Sequence, residues 1–481
     1  MDKVTQEILD VLKEMNSVPR CSGHEEMIAN WLKEWALRNG LNVKFDSVNN
    51  VLISVPASPG YEKSPAVVIQ GHMDMVCEKK PDSLHDFRKD PIDQYIDGEW
   101  LKARGTTLGA DNGIALAMAL VLARDKELPH PPLELLFTVD EETGLTGANE
   151  LMPDFISGRI LLNADSEDEG VFVIGCAGGL NTTMRMALEY TPVPEGRSIC
   201  KLAVGGLAGG HSGVDIHEKR ANANKLLAKA LDTLISNFDM YVIYMEGGSA
   251  HNAIPRQAEA LVAISPDDYE NVLSVIRDIE NDSRQEYIEN DPGLSIGLAE
   301  QSGYDGSSSI EKELAERIVG LLMQLPNGVA RVSEDVPGLV ETSNNLAIIR
   351  IEDDDFVILS SQRSSTDAGL AEITKGIEDI SVSAGATVLH NSGYPAWQPD
   401  LDSPLLQRCK EIYKNTFGEE ASIEVIHAGL ECAVIGSKYQ GMDMISFGPT
   451  IKNPHSPDER LHIPSVLRVW KFLTALLSSF S

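Results

Sequence analysis

Three features of the chain predict an α/β fold carrying a long insertion. Short apolar, β-rich runs alternate with amphipathic helical stretches at both ends of the sequence. Several of these runs stop abruptly at carboxylates or histidines, where open α/β sheets bring their ligands together. Between the ends the texture changes to strands and helices without such acidic ends. This divides the chain into 1–182 and 393–481 as two parts of one domain, with 183–392 inserted.

At the start, Val4, Ile8, Val11, Leu12 and Met15 share one side of an amphipathic helix, without the apolar core of a signal peptide. Ser22 and Glu25 read as a capping box opening a second helix through Trp31, Trp35 and Leu37, closed by Gly40. Runs at 42–45, 50–55 and 66–70 read as strands, the third leading into Gly71-His72-Met73-Asp74. His72 can bind an ion through one ring nitrogen while Asp74, two residues on, holds the other N–H; a histidine hydrogen-bonded in a turn fits as well. The loop Gly105 to Gly113 feeds a helix at 114–124. Its glycine spacing, with no Lys before a Ser or Thr, disfavours phosphate binding, and Asp111 is either a cap or a ligand.

The run 133–139 reads as a buried strand ending in Asp140-Glu141-Glu142. With no Lys or Arg between Lys126 and Arg159, such acids call for a cation unless they form a solvated turn. The next strand, 159–163, ends in Ala164-Asp165-Ser166-Glu167. Within the insert, a strand at 198–204 with a helix at 217–235 parallels 356–363 with 368–384, the pattern of two related halves. Loops there present His211 and His251-Asn252, as turn chemistry or as function. The last portion reads as helix 405–417, strand 421–427, a turn to Glu431, strand 442–447, His455 between two prolines, and a helix from Ser465.

With 73 Asp and Glu against 40 Lys and Arg in 481 residues, the formal charge of −33 argues against nucleic acid or an anionic membrane surface as partner. No apolar run is long enough to span a bilayer. The six cysteines form no C-x-x-C pair, so neither a disulfide framework nor a thiolate zinc site is expected, and a reducing cytosol fits.

Together His72, Asp111, Glu142, Asp165 and His455, with Asp74 and Glu141 nearby, are the groups a pair of zinc ions needs, one carboxylate bridging. Cobalt or manganese could substitute. The ordered series GHMDMV, GADNG, DEETG, NADSE and NPHSPDE resembles the metallopeptidase family that includes carboxypeptidase G, aminoacylase, carnosinase and succinyl-diaminopimelate desuccinylase. The variants HMDMV, LGADNG, DEETGLTGA and HAGLEC resemble most its members that cleave aminoacyl-histidine dipeptides.

The resemblance implies a catalytic α/β domain, a mixed sheet flanked by helices, with an inserted α+β lid of dimerisation type. It implies that His72 and Asp165 hold one ion and Glu142 and His455 the other, that Asp111 bridges, that Asp74 orients His72, and that Glu141 is the general base. His211, Asn252 and Arg363 are similar to lid residues that meet the substrate, and Glu431 is placed to receive its amino group, unless it simply opens a helix. The implied reaction is hydrolysis of dipeptides, Xaa-His among them, by a metal-bridged hydroxide, with His211 steadying the oxyanion. The alternatives are amidohydrolysis of N-acyl amino acids and metal or peptide binding without catalysis. A monomer and a homodimer are both compatible with such an insert.

Overall fold

The computed structural model describes residues 1–304, 306–333, 338–391 and 393–481. They form two compact units, Met1–Gly175 with Trp397–Val425 and Leu430–Ser481, and Cys176–Ala396 with Ile426–Gly429. The seams lie a few residues outside the expected boundaries, because the strand Gly178–Ala187 already pairs with Asp355–Ser364 in the second unit. Ser392, the expected end of the insert, lies outside the described residues.

The first unit is built on a mixed sheet of eight strands, in the order Asn42–Phe45, Val51–Val55, Leu133–Thr138, Val67–His72, Ile160–Asn163, Asp443–Ser446, Val171–Cys176 and Ser422–Ile426. The four central strands, Leu133–Thr138 through Asp443–Ser446, run parallel. Val67, Val68, Ile69, Leu133, Leu135, Leu136, Leu161 and Leu162 are all buried, as expected of strands covered on both faces. Each such aliphatic side chain contributes roughly 1.5–3 kcal/mol on burial. Ala110–Arg124 is apolar all round and buried as far as Leu122, so it is the central helix of this core rather than a surface one. Lys3–Met15 packs on it, and Pro404–Phe417 packs on Ile463–Ser478.

A smaller antiparallel sheet of Gln94–Asp97, Trp100–Ala103, Arg460–His462 and Ile451–Lys452 was not anticipated. Its last hairpin presents residues 453–459, and so His455.

Two expectations about local structure fail in this unit. The capping box does not form: Ser22 Oγ donates to Asp74 Oδ2 at 2.8 Å, while Glu25 Oε1 accepts from the Gly23 and Asp140 amides at 2.7 and 3.1 Å. Both side chains are claimed by other segments, and the helix runs Glu26–Arg38 with Glu25 as a cap that makes no side-chain bond to it. The cysteines also depart from expectation. Cys21 and Cys77, 56 residues apart, form a disulfide, because residue 21 bridges in parallel to Met75 and the two Cα atoms stand 5.7 Å apart. Cys176, Cys200, Cys409 and Cys432 are buried thiols.

The second unit is organised on a sheet ordered Ser295–Glu300, Ser198–Gly205, Ala258–Ile264, Tyr241–Gly247, Val340–Glu352, Asp355–Ser364, Gly178–Ala187 and Thr387–His390, with Gly328–Val332 added to Val340–Glu352. The helices Ala223–Asn237, Tyr269–Tyr287, Lys312–Gln324 and Asp367–Ser383 cover it, an α+β arrangement. The helix expected from His217 starts at Ala223 instead. Asn222 caps it by accepting from the Asn224 and Lys225 amides, and Lys219 before it has φ of 53°, outside the helical region. Gly210–His211 and Ala253–Ile254 pair as a two-residue ribbon.

Candidate metal centre

Because the four central strands run parallel, their carboxyl ends share one edge of the sheet. His72 ends one strand, Glu141 and Glu142 follow the next, and Asp165 follows the third. Asp111 comes from the start of the buried helix Ala110–Arg124, and His455 from the hairpin loop. Gly71 lets that helix approach the strand: a Cβ there would stand 2.3 Å from Asn112 Oδ1.

The five expected ligands meet. Asp111 Oδ1 lies 3.2 Å from His72 Nε2, and Asp111 Oδ2 lies 3.1 Å from His455 Nε2. Asp165 Oδ1 is 3.4 Å from His72 Nε2, and Glu142 Oε2 is 2.9 Å from His455 Nε2. The result is two ligand groups that share Asp111: His72 with Asp165, and His455 with Glu142. His72 and Glu142 also form a third such group with Glu141.

Asp74, fully buried, organises the neighbourhood. Its Oδ1 is 3.3 Å from His72 Nδ1 and accepts from the Glu141 amide at 3.1 Å, and Oδ2 accepts from the Glu142 amide at 3.3 Å. Glu431 opens the helix Glu431–Lys438 and is itself fully buried. Its Oε2 accepts from Gln70 Nε2 at 2.5 Å and Thr138 Oγ1 at 2.7 Å, and Asn163 Nδ2 donates to Gln70 Oε1 at 2.6 Å. Three parallel strands are thereby tied together at their ends. Burial pushes the Glu431 carboxyl up to about 7, with Asp165 and Asp74 adding to the rise.

The acids and histidines of the cluster shift one another's titration. Burial disfavours charge on His455, yet Asp111 and Glu142 push it up to about 11. Burial holds the Glu141 carboxyl well above the usual range, and the negative charges of Asp165, Glu142 and Glu431 raise it further against the pull of His72.

In the second unit, His211 Nδ1 accepts from the Gly213 and Val214 amides at 3.2 and 3.0 Å, which leaves the ring proton on Nε2. Asn252 neighbours it across the ribbon: its backbone carbonyl accepts from the Ser212 amide at 2.8 Å, and the residue is exposed. Arg363 is buried rather than on the surface, and its Nη1 donates to Tyr394 Oη at 2.8 Å. His427 lies in the same cluster, with Nε2 2.7 Å from Ser343 Oγ.

A family model for peptidase family M20/M25/M40 matches residues 68–479. The chain belongs to that family. As an M20/M25/M40 peptidase it is a hydrolase of peptide bonds, with the mixed α/β fold of the group. It is 42% identical over 472 residues to a cytosol non-specific dipeptidase of Escherichia coli K12, covering 98% of this chain and 97% of the relative. The crystal structure of an aminoacylhistidine dipeptidase from Vibrio alginolyticus superposes with a TM-score of 0.86 at 39% identity, covering 98% of this chain and 96% of that one. Human carnosine dipeptidase 1 shares the fold, with a TM-score of 0.51 at 14% identity over 99% of this chain and 97% of that one.

The donor set of this M20/M25/M40 peptidase fits metal ions. Ligand atoms placed tetrahedrally about 2.1 Å from one zinc stand about 3.4 Å from each other, close to the separations above. Glu142 Oε1 and Asp165 Oδ1 are buried without a hydrogen bond, atoms that an ion would satisfy. Two residues escaped the sequence reading. Glu459 lies in the same hairpin loop as His455, and Arg20 precedes the Cys21 bridge; both are almost fully buried against the segment that carries Asp111. Glu459 closes the series NPHSPDE without its partners being readable from it, and Gly109 and Gly113 leave room for Arg20: a Cβ there would stand 2.4 and 2.7 Å from Arg20 Nη2.

Proposed function

We propose that the protein is a cytosolic dipeptidase that uses two metal ions, zinc with cobalt or manganese as substitutes, to hydrolyse Xaa-His and other short peptides with a free C-terminus. The observation that carries this reading is the double engagement of Asp111, one carboxylate oxygen 3.2 Å from His72 and the other 3.1 Å from His455. The names of the Escherichia coli and Vibrio relatives support the substrate class and the compartment. No helix among the described residues is long and apolar enough to cross a membrane.

In this reading His72 and Asp165 would hold one ion, Glu142 and His455 the other, with Asp111 placed to serve either. Bound ions would polarise the attacking water and the scissile carbonyl and so lower the water's pKa. Asp74 keeps His72 in the tautomer whose Nε2 is a ligand, and by holding the Glu141 amide it aims that side chain. Glu141 takes the proton from water and returns it to the departing amine. His211, with its proton on Nε2, donates to the carbonyl oxygen as negative charge develops there, with Asn252 beside it. Arg363 pairs with the substrate α-carboxylate. Glu431 serves the substrate amino group through its charge at the strand ends rather than by direct contact, since its side chain is fully buried against Gln70 and Thr138.

The test is a panel of dipeptides, their C-terminal amides and N-acetyl amino acids, assayed on protein of known metal content. Turnover of free dipeptides above both other classes is expected. Preference for N-acetyl amino acids would replace dipeptides with acyl amino acids as substrates.

A further inference from the structure

Asp111 sets one carboxylate oxygen against His72 and the other against His455, so whatever fixes its backbone bears on the spacing of both halves of the ligand cluster. Four successive amides before and at this residue converge on a single carboxylate. Glu459 Oε2 accepts from Leu108 and Gly109 at 2.6 and 2.9 Å, and Oε1 accepts from Ala110 and Asp111 at 2.8 and 3.2 Å. These donors precede the regular part of the helix Ala110–Arg124, whose backbone is non-helical at Asp111 and Asn112, and a single carboxylate satisfies all four.

The opposite side of the same segment is held by a cation. Arg20 Nη2 donates to the Gly109 carbonyl at 2.6 Å and to Asn16 Oδ1 at 3.0 Å. Asn16 Nδ2 in turn donates to the Leu108 carbonyl at 3.0 Å. Arg20 Nη1 reaches the carbonyls of Met73 and Asp74 at 3.3 and 3.1 Å, so one guanidinium spans the segment after His72 and the segment before Asp111. Arg20 and Glu459 are 2% and 3% exposed. Burying two such charges carries a large desolvation penalty, and a Ser or Asp cap would satisfy a helix start without it. Gly109, at φ of 68°, and Gly113 leave the room that the guanidinium occupies.

We propose that Arg20 and Glu459 are positioning residues for the metal centre, clamping the Leu108–Asp111 segment from opposite sides so that Asp111 meets both ion sites at once. The clamp acts through the backbone and touches neither ion nor substrate. Because it acts on the shared ligand, weakening it loosens both ions together, whereas loss of a ligand to one ion, such as Asp165, bears first on that ion. The inference rests on the two-metal reading above, and the test separates the two.

The test is a Co2+ titration of apoprotein followed by visible absorption and by competition with a chelator, on the parent, Glu459→Gln, Arg20→Lys and Asp165→Ala. A glutamine turns an amide N–H2 towards two of the four backbone donors, and a lysine cannot reach four carbonyl and amide oxygens at once. The parent takes up two equivalents. Glu459→Gln and Arg20→Lys are expected to weaken both equivalents by about 10–100-fold and to alter the Co2+ spectrum, the size usual for groups that orient ligands. Asp165→Ala weakens one equivalent more than the other. Parent affinity for both ions in Glu459→Gln or Arg20→Lys overturns the clamp, even where thermal stability falls, and so does weakening of one ion alone. A parent that binds fewer than two equivalents ends the two-metal reading instead, and the clamp with it. Should Glu459→Gln not fold, Glu459→Asp, which keeps the charge but shortens its reach, goes through the same titration with the same two outcomes.

Discussion

Asp74 holds Glu141 in place through the backbone: its Oδ1 accepts from the Glu141 amide at 3.1 Å while standing 3.3 Å from His72 Nδ1. One carboxylate thus sets both the orientation of an expected ligand and the position of the expected base. Asp74→Asn offers an N–H2 where two backbone amides and the imidazole need acceptors. It is expected to lower kcat by about two orders of magnitude and to weaken metal binding by about 10–100-fold. Stopped-flow turnover and chelator competition on the same preparation check both, and unchanged metal affinity would detach Asp74 from His72.

Glu141→Gln should separate chemistry from metal binding. Removing a general base costs about 10²–10⁴ in rate, while Glu142, Asp165, Asp111 and both histidines keep the ions. Metal analysis beside kcat measures the split, and near-parent kcat would move the proton transfer to another group.

The second unit carries its own pH signal. Burial holds His427 down to about 3, with the Arg363 guanidinium adding to the depression. In the unfolded chain a histidine takes a proton near pH 6.5, so between about pH 6.5 and 3 the unfolded state binds more protons than the folded one. Stability therefore falls as the pH falls through this window, and His427 contributes up to about 1.4 kcal/mol per pH unit in its middle. His427→Asn should flatten the slope of urea stability against pH between about 6 and about 4. Parallel slopes for the two proteins would mean that the side chain titrates normally when folded.

The Cys21–Cys77 bridge closes a loop with 56 residues of separation, which by chain entropy is worth about 4 kcal/mol. Alkylation of the unreduced, denatured protein should label four of the six cysteines, and Cys21→Ser with Cys77→Ser should lower the Tm. Six labelled cysteines would show that the pair is reduced.

What the sequence made legible was the set of strand ends. Apolar runs at 66–70, 133–139 and 159–163 break into His72, Glu141-Glu142 and Asp165 within a few residues, and parallel pairing brings such ends to one edge. Glu459 stands in the series NPHSPDE, but its contacts were not legible because its partners are backbone amides, which leave no mark in the sequence. Ser22 and Glu25 misled for the opposite reason: they have the spacing of a local cap, but their bonds go to Asp74 and to the Asp140 amide. The disulfide was hidden by separation, since Cys21 and Cys77 meet only once residue 21 bridges to Met75. The antiparallel hairpin that presents His455 and Glu459 rests on strands of two and three residues, too short for a periodic pattern.

The most direct measurement follows dipeptide turnover while metal is stripped by chelator and zinc is returned in measured steps. The account predicts that turnover vanishes with the metal, returns on zinc addition, and reaches its plateau at two equivalents per chain. Full turnover by metal-free protein, or a plateau at one equivalent with no second ion bound, would contradict it.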